Sequence, residues 1–416
     1  MELKLGYKQT EMGVLPADWE ARPLGDYVRF RTGPFGSALH KSDYTHDGVP
    51  VINPMHIVDG NLSPTESMTV TESAARALAD FRVRENDILI GRRGDMGRCA
   101  VVKAGQAGWL CGTGSMIVRC GEGIAPSFLQ RVLSSSRAIA AIESASVGST
   151  MINLNQGTLS ALLVQIPPLP EQRAIAAALS DVDALIGALD RLIAKKRNLK
   201  HASMQKLLTG QTRLPGFGGK WEMVRAGDIG RFKGGSGFPT RAQGAAAGDY
   251  PFFKVSDMNH AGNGVFMIQS NNWISEGVRK QLGATVFPTG SVVFAKVGAA
   301  VFLERKKLLA KSSCLDNNMA AFIVQRDRLE PRFAHLAFLH TKLGDLVSTT
   351  ALPSLSGSVL AQIPLQIPPI DEQIAIINVV SDMDAELRAL ERRRDKTHAL
   401  KQGMMQELLT GRTRLV

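Results

Sequence analysis

The 416-residue chain lacks the features that mark several large classes of protein. It has four cysteines, with neither CxxC spacing nor a convincing pairing pattern: Cys99, Cys111, Cys120 and Cys314. This scarcity excludes a disulfide-stapled fold and favours a reducing compartment, so we expect the cysteines to be small buried hydrophobic residues. No run of about 18 apolar residues occurs, and the N-terminal segment lacks the apolar stretch of a secretory signal. We therefore predict a cytoplasmic, globular protein.

The sequence also lacks the common signatures of catalysis. It contains no GxxxxGK phosphate loop, no HExxH and no metal-type His/Cys spacing, and Asn53-Pro54-Met55 is not the Pro-Pro-aromatic run of an amino-methyltransferase. Glu304-x-Lys306 matches half of a nuclease-type carboxylate pattern, but the upstream Pro-Asp is missing. With four Trp and four Tyr, a base-stacking platform for single strands is less favoured than duplex binding. We predict a non-catalytic chain with no cofactor or metal of its own.

Positive charge is in excess and unevenly distributed. The chain carries 49 Lys and Arg against 38 Asp and Glu, a net charge of +11, which suggests a polyanionic partner. Residues 1–165 carry 16 basic and 16 acidic side chains, whereas residues 215–366 carry 17 and 10. The surplus therefore lies in the middle of the chain. A mildly basic solvated surface would show the same excess, so charge alone does not identify the partner.

The strongest pattern is an internal repeat. The segment IPPLPEQ at residues 166–172 returns as IPPIDEQ at 367–373, and LLTGQTRL at 207–214 returns as LLTGRTRL at 408–415. Between these ends the two 49-residue segments align without a gap and share 26 identities. Chance does not produce such a match, so the chain contains one unit used twice.

The sequence between the repeated segments corresponds more weakly. Trp19-Glu20 matches Trp221-Glu222, and DILIGRRG at 87–94 matches SVVFAKVG at 291–298. We therefore divide the chain into a variable domain (residues 1–165), a repeated helix (166–214), a second variable domain (215–366) and a second helix (367–416). The domains have diverged while the helices have not, which suggests that the domains perform different versions of one task and the helices perform the same task.

Each repeated segment reads as a long helix with a coiled-coil seam. Proline-rich openings precede runs without proline, and each run ends at Thr-Gly, where glycine favours a helix terminus. Apolar residues alternate at spacings of four and three, as coiled coils require. The predicted helix-pairing seam comprises Ile175, Leu179, Val182, Ile186, Leu189 and Ile193, with Ile376, Val380, Met383, Leu387 and Leu390 in the second helix. A solvent-exposed helix that only resembles a heptad pattern is the alternative.

Chain geometry favours antiparallel pairing of these helices. At 1.5 Å per residue each helix is roughly 58 Å long. If the helices were parallel, residues 215–366 would have to bridge that length, whereas a compact domain of this size is only about 40 Å across. Antiparallel helices place the two attachment points side by side. We therefore expect a pseudo-two-fold dumbbell.

The variable domains are predicted to mix both kinds of secondary structure. Short β-rich runs are bounded by Gly, Pro or Asn: 49–53, 87–90, 116–118, 252–255, 291–294 and 320–324. Helical stretches lie between them at 73–79, 126–141 and 331–347. The fold class is α+β, with two mixed domains separated by the antiparallel helix pair.

Candidate DNA contacts are cationic and polar residues at strand ends and loops. Base edges are read by Arg, Lys, Asn, Gln, Ser or Thr, and phosphates by Arg, Lys and backbone N–H groups. The candidates are Arg92, Arg93, Thr150, Asn153 and Asn155 in the first domain, and Lys233, Arg241, Lys254, Lys296 and Ser354 in the second. Ordinary polar loops are the alternative for each of them.

The IPPLPEQ and IPPIDEQ segments, the LLTGxTRL endings and the DWE and KWE domain starts resemble the specificity subunit of type I restriction-modification enzymes. The resemblance covers essentially the whole chain. It implies that each domain is a target-recognition domain for one half of a bipartite asymmetric DNA site, and that the system serves host defence. It also implies two modification subunits docked on the helices, carrying S-adenosylmethionine for adenine-N6 methylation, and restriction subunits that use ATP and Mg for translocation and cleavage.

Two substitutions between the repeated helices bear on partner docking, and three alternative functions are compatible with the sequence. Pro170 and Arg173 are replaced by Asp371 and Ile374, so the resemblance does not guarantee two equivalent docking surfaces. The chain could also serve a related system whose partner combines methylation and cleavage, which the neighbouring gene would decide. A stand-alone nuclease would rest on Glu304, and a coiled-coil scaffold without DNA would not explain why the domains diverged.

Overall fold

The computed structural model describes residues 5–34, 38–145, 154–347 and 353–415. Two candidate DNA contacts, Thr150 and Asn153, lie outside the described residues. The chain divides into two compact units, the first formed by Met1–Asp190 with Arg392–Val416 and the second by Arg191–Glu391. Each unit thus holds one variable domain and part of each long helix. The finer division into four segments stays a prediction.

The first unit is built from short strands around a few helices. Its strands are β1 (Tyr7–Thr10), β2 (Gly13–Pro16), β3 (Glu20–Pro23), β4 (Val28–Thr32), β5 (Tyr44–Thr45), β6 (Val49–Ile52), β7 (Ile57–Val58), β8 (Asn61–Leu62), β9 (Thr69–Val70), β10 (Ile88–Gly91), β11 (Cys99–Val101), β12 (Leu110–Cys111), β13 (Ser115–Cys120) and β14 (Leu163–Ile166). Its helices are α1 (Glu72–Ala77), α2 (Pro126–Leu133), α3 (Ser136–Ser144), α4 (Gln156–Ala161) and the start of α5 (Leu169–Leu208). Many connections are short 3-10 turns.

The second unit repeats this plan. Its strands are β15 (Glu222–Arg225), β16 (Gly230–Gly234), β17 (Tyr250–Phe253), β18 (Phe266–Met267), β19 (Trp273–Ile274), β20 (Val292–Ala295), β21 (Lys306–Leu309), β22 (Cys314–Leu315), β23 (Met319–Val324) and β24 (Pro364–Ile367). Its helices are α6 (Glu276–Leu282), α7 (Pro331–His340), α8 (Gly357–Ala361) and the start of α9 (Ile370–Leu408).

Sheet topology reveals the repeat where sequence identity is weak. The main sheet has the order β11-β10-β13-β4 in the first unit, and the order β21-β20-β23-β16, extended by β18, in the second. A smaller sheet in each unit contains one parallel pair, β6 with β12 and β17 with β22. A two-stranded ladder, β3 with β14 and β15 with β24, leads into each long helix. Both domains are therefore the same mixed α/β fold.

Two predicted helices are shorter than the sequence pattern suggested. The prediction over 126–141 is wrong in continuity, because the chain forms α2 and then α3 with a break between them. Ser135 is extended at the break, and its hydroxyl accepts a hydrogen bond from the Ala138 N–H, which starts a new helix. The prediction over 331–347 is wrong in length, since α7 ends at His340 and Leu343–Leu346 is a 3-10 turn.

The long helices begin and end close to the predicted residues. Helix α5 begins at Leu169, three residues into the predicted segment, and includes Pro170, because a proline in the first turn removes only an N–H that has no helical partner. After each helix the chain turns through a left-handed glycine, Gly210 at φ 69° and Gly411 at φ 68°. Glycine tolerates this conformation because it has no Cβ.

The predicted seam residues lie mostly in the interior. Those that are buried are Ile175, Leu179, Ile186, Leu189, Ile193, Ile376, Val380 and Leu387, while Val182, Met383 and Leu390 are half-buried. The first two residues of each seam also belong to the hydrophobic core of a variable domain. Ile175 and Leu179 share one hydrophobic core with Trp19 and the end of α9. Each variable domain therefore shares a continuous core with the long helices.

Ion pairs between α5 and α9 show which residues of the two antiparallel helices lie opposite each other. In the first unit Asp183 pairs with Lys401 at 2.7 Å, and Asp190 pairs with Arg394 at 3.7 Å. From the first pair to the second, the position moves seven residues forward along α5 and seven residues backward along α9. In the second unit the repeat-equivalent pair, Lys200 with Asp384, is formed in the same way. The helices pack together as an antiparallel pair.

Candidate nucleic-acid interface

In each domain the ends of several strands meet at one place, which we call the strand-end junction. In the first domain it comprises residues 32–34, 53–54, 91–94, 112–114 and 154–156. In the second it comprises residues 233–236, 254, 296–298, 316–318 and 354–355. The backbone hydrogen bonds described below hold each junction together, and most of the candidate DNA contacts lie there.

Arg92 and Asn155 are brought together through Leu154 in the first domain. The Arg92 carbonyl accepts a hydrogen bond from the Leu154 N–H at 2.9 Å, and the Arg92 Nε donates to the Leu154 carbonyl at 2.8 Å. Asn155 caps α4, since its side-chain oxygen accepts from the Thr158 N–H at 2.8 Å. These contacts give Arg92 and Asn155 structural roles beside any contact with DNA.

Arg93 differs from its neighbour because its side chain is exposed, whereas Arg92 is half-buried. Burial lowers the pKa of Arg92, and the adjacent positive charge of Arg93 lowers it further. A guanidinium remains charged even so. Two adjacent cations at the end of a strand favour an anionic partner, and Arg93 is the one that extends into solvent.

The second domain builds the same junction with lysines. The Lys296 carbonyl accepts from the Leu355 N–H at 2.9 Å, and Val297 forms a bridge with Ser354. The Lys296 ammonium lies over the end of β16, where a Cβ built on Gly234 would be 2.6 Å from its Nζ. Lys233 precedes that glycine and is exposed. Lys296 and Ser354 therefore meet at this junction, and Lys233 lies beside them in the chain, one residue before Gly234.

Lys254 links this junction to the loop that carries Arg241. Its Nζ donates to Gln243 Oε1 at 3.0 Å, and Gln243 follows the exposed Arg241 in the turn Thr240–Ala242. Asp316 lies nearby and is buried. Desolvation raises the pKa of Asp316, although hydrogen bonds from Asn318 and the charge of Lys254 act in the opposite direction. A basic cluster with two buried carboxylates behind it, Asp316 and Asp257, results.

Glu304 and Lys306, the alternative nuclease pair, form an internal ion pair. The buried Lys306 Nζ donates to Glu304 and to the Thr341 carbonyl. Glu304 also accepts from the N–H groups of Leu343 and Gly344, at 3.1 and 2.7 Å. Burial raises the pKa of Glu304, but these hydrogen bonds outweigh it and leave the pKa lowered. The pair fastens β21 to the 3-10 turn Leu343–Leu346 that follows α7, and nothing in its geometry favours metal-dependent cleavage.

A clamp at the start of α5 explains one half of the repeated sequence. Glu171 is fully buried and accepts from Arg414 Nε at 2.6 Å and from Trp19 Nε1 at 2.9 Å. Arg414 also pairs with Asp18 at 2.7 Å, and these two carboxylates raise its pKa. The TRL segment at the end of the second repeat therefore contacts the first domain through Arg414.

The second unit contains the equivalent clamp. Glu372 is buried and accepts from Arg213 Nε and Nη2 at 2.6 Å each and from Trp221 Nε1 at 3.1 Å. The neighbouring glutamine is used in the same way twice: Gln172 Oε1 accepts from the Ala125 N–H, and Gln373 Oε1 from the Glu330 N–H. The sequence revealed the repeated Glu-Gln and Thr-Arg residues, but not that they contact each other.

Within the part of the chain that the structure describes, no group of three His, Cys, Asp or Glu side chains could hold a metal ion. No described helix is long and apolar enough to cross a membrane. All four cysteines are at least half-buried, as expected, and desolvation raises the pKa of the Cys99 thiol to about 12.

Comparison with known proteins agrees with the duplicated architecture. The family model described as type I restriction modification DNA specificity domain matches twice, at residues 16–195 and 218–397. The MjaVIII specificity subunit of a type I restriction enzyme from Methanocaldococcus jannaschii is 21% identical, over 96% of this chain and 94% of its own.

Solved structures show the same fold. One chain from a type I restriction-modification system superposes with a TM-score of 0.63 at 19% identity, covering 96% of this chain and 99% of that one. The HsdS subunit from Thermoanaerobacter tengcongensis gives a TM-score of 0.55 at 20% identity, covering 96% and 98%. The fold is thus a known one, and this chain belongs to the type I restriction-modification DNA specificity family, whose members are non-catalytic DNA-recognition subunits.

Proposed function

We propose that each recognition domain reads one half of a bipartite, asymmetric duplex site through its strand-end junction. The observation that carries this proposal is the comparison of the two junctions. Their backbones make the same hydrogen bonds, from Leu154 to Arg92 and from Leu355 to Lys296, while the side chains differ at matching positions. A shared scaffold with different polar side chains is suited to reading different sequences.

The positive charge supports a duplex as the ligand. The cations at the second junction are Lys233, Lys254 and Lys296, with Arg241 in the adjoining loop, and Arg92 and Arg93 lie at the first. Such residues neutralise phosphates and fix the register of a protein on DNA, while side chains at rigid backbone positions contact base edges. Arg, Lys, Asn and Ser at the junctions supply both kinds of contact.

The helix pair is proposed to set the gap between half-sites and to dock two modification subunits. Those partners would carry S-adenosylmethionine, and restriction subunits would add ATP- and Mg-dependent translocation and cleavage in the cytoplasm. The fixed antiparallel register supports the first role, because ion pairs such as Asp183 with Lys401 prevent the helices from sliding. The chain itself binds and orients the DNA, and its partners supply the chemistry.

Methylation-sensitive sequencing of a host genome, with and without this gene, tests the proposal. We expect methylated adenines in two short sequences separated by a constant gap. Purified chain alone, incubated with S-adenosylmethionine and DNA, should transfer no methyl group and cut no strand. A continuous palindromic motif, or methyl transfer by the isolated chain, would contradict the proposal.

A further inference from the structure

Asn53 and Lys254 occupy the same place in the two recognition domains. Each directly follows the parallel strand of the smaller sheet, β6 or β17. Each precedes a 3-10 turn, Pro54–His56 or Val255–Asn259. Pro50 and Pro251, three residues earlier in each strand, match in the sequence, but the residues at the two positions themselves differ.

A buried group three residues later fixes the backbone under both side chains. The Asn53 N–H donates to His56 Nδ1 at 3.2 Å, and the Lys254 N–H donates to Asp257 Oδ2 at 2.7 Å. His56 and Asp257 are each 1% exposed. Asp257 is held in turn by Asn271 Nδ2 at 2.9 Å. Both side chains therefore project from rigid platforms, as precise recognition requires.

A second position, at the end of the neighbouring parallel strand, also differs between the two domains. Gly112 and Asp316 follow the partner strands, and their N–H groups donate to the equivalent carbonyls of Ile52 and Phe253 at 2.9 Å. A Cβ on Gly112 would lie 2.3 Å from Asn53 Oδ1, so the Asn53 amide occupies that space. In the second domain Asp316 stands there; burial raises the pKa of its carboxyl, and the positive charge of Lys254 is among the influences that act against this rise. The two positions form a pair: Asn53 with Gly112, and Lys254 with Asp316.

The two pairs offer different hydrogen-bonding patterns to a base edge. An asparagine amide presents one donor and one acceptor, which match N7 and N6 of adenine. A lysine ammonium presents donors alone, which match O6 and N7 of guanine. One of the three Lys254 donors goes to Gln243, and Gln243 is fixed by donating to the Phe238 carbonyl at 2.8 Å. Two donors remain for a base.

Building on the proposed function, we propose that this paired position determines one base in each half-site: Asn53 with Gly112 selects adenine, and Lys254 with Asp316 selects guanine. The buried Asp316 carboxylate has a defined part in this arrangement. It compensates the lysine charge when DNA displaces water from the junction, because burial of an unpaired ammonium is costly.

The test exchanges the pairs in the full-length chain, assembled with its modification subunits. The variant Lys254→Asn with Asp316→Gly is compared with wild type by selecting sites from a randomised duplex library. We expect a guanine in the second half-site to be replaced by adenine, with at least about tenfold discrimination, while the first half-site stays unchanged. Lys280→Asn, at an exposed lysine on α6, is the matched control and should leave both half-sites unchanged.

The reciprocal variant, Asn53→Lys with Gly112→Asp, keeps the proposal falsifiable if the first variant does not fold. Its backbone is suitable, since Asp316 occupies the equivalent place in the second domain. It should convert an adenine of the first half-site to guanine. A wild-type protein without sequence preference would contradict the proposed function together with this inference. A bipartite wild-type preference that survives a folded exchange variant unchanged would contradict the inference alone.

Discussion

The helix-end clamps and the strand-end junctions evolved from the same duplicated unit, yet they have changed to different degrees. The buried contacts of Glu171 with Arg414 and Trp19 are repeated by Glu372 with Arg213 and Trp221, although Asp18, the second partner of Arg414, has no counterpart. At the junctions the backbone hydrogen bonds are repeated, but Arg92 becomes Lys296 and Asn53 becomes Lys254. A contact made inside the molecule must satisfy the same buried groups in both copies. A contact made with an outside ligand changes when that ligand changes.

The largest expected effect comes from isolating one copy. A fragment of residues 1–214 retains both Asp183 and Lys200, the two residues that pair with Lys401 and Asp384 in the whole chain. It also retains Arg213, the repeat equivalent of Arg414. We expect it to form an antiparallel homodimer that prefers an inverted repeat of the first half-site, because protein two-fold symmetry requires DNA two-fold symmetry. Sedimentation at micromolar concentration and site selection would measure this.

The register also removes an objection to that dimer. Lys195-Lys196-Arg197 would repel a copy of itself if the two stretches faced each other. In the whole chain Lys196 pairs instead with Glu386, which is the repeat equivalent of Leu185. In the homodimer the basic stretch should therefore lie against the region around Leu185 of the other copy, and not against the other basic stretch. A monomeric fragment, or a dimer with a non-palindromic site, would show that the helices are not interchangeable.

Next in size is the loss of a clamp. Glu171→Ala leaves the Arg414 guanidinium without its buried partner and the Trp19 N–H without an acceptor, and we expect a loss of about 3 kcal/mol in the free energy of unfolding. Glu372→Ala should cost a similar amount, because Glu372 likewise binds a repeated arginine and a tryptophan N–H. Denaturant titration measures both, with Glu143→Ala at an exposed helical position as the control. A loss confined to one variant would mean that the two clamps are not equivalent.

A smaller effect distinguishes the two domains by pH. His335 is 3% exposed, and its Nε2 forms a hydrogen bond with the carbonyl of Lys306, the first residue of β21. In the first domain Gln130 makes the equivalent hydrogen bond to the carbonyl of Cys99, the first residue of β11. Burial, reinforced by nearby positive charges, lowers the pKa of His335 to about 4. The unfolded state then binds a proton that the folded state does not, so stability should fall between about pH 6.5 and pH 4.

The variant His335→Gln copies the first domain and should reduce this acid lability. The expected change is at most about 1.4 kcal/mol per pH unit, the linkage value for one proton. Unfolding curves collected across this pH range measure it. An unchanged slope would assign the acid sensitivity to other groups.

The smallest expected effect is on the salt dependence of binding. Lys296→Ala should reduce the slope of log affinity against log salt by about 0.9 if its ammonium contacts one phosphate. Because the second domain carries the charge surplus, substitution of Lys254 or Lys296 should weaken binding more than Arg92→Ala or Arg93→Ala. Lys280→Ala is the control. A larger loss from the two arginine variants would show that segment charge was a poor guide to the contacts.

Much of the architecture could be predicted from periodicity and repetition. The long helices begin within three residues of the predicted segments, because spacing, proline and glycine act locally along the chain, whereas the end of α7 was predicted seven residues too late. The break between α2 and α3 was missed, since the Ser135 cap competes with an otherwise helical pattern. Arg92, Lys296 and Ser354 were selected as loop residues of the right chemistry, whereas Asn53 and Gly112 were not, because their proximity depends on strands far apart in sequence.

The sequence by itself determined the duplication, the antiparallel helix pair and the family, because each depends on local pattern or on identity between two segments. The tertiary structure decided which residues meet. Glu171 is separated from Arg414 by more than half of the chain, and Asn53 lies opposite Gly112 through a parallel strand pair that no local pattern reveals. Such contacts arise from sheet topology and core packing, in which each residue's neighbours depend on the whole fold.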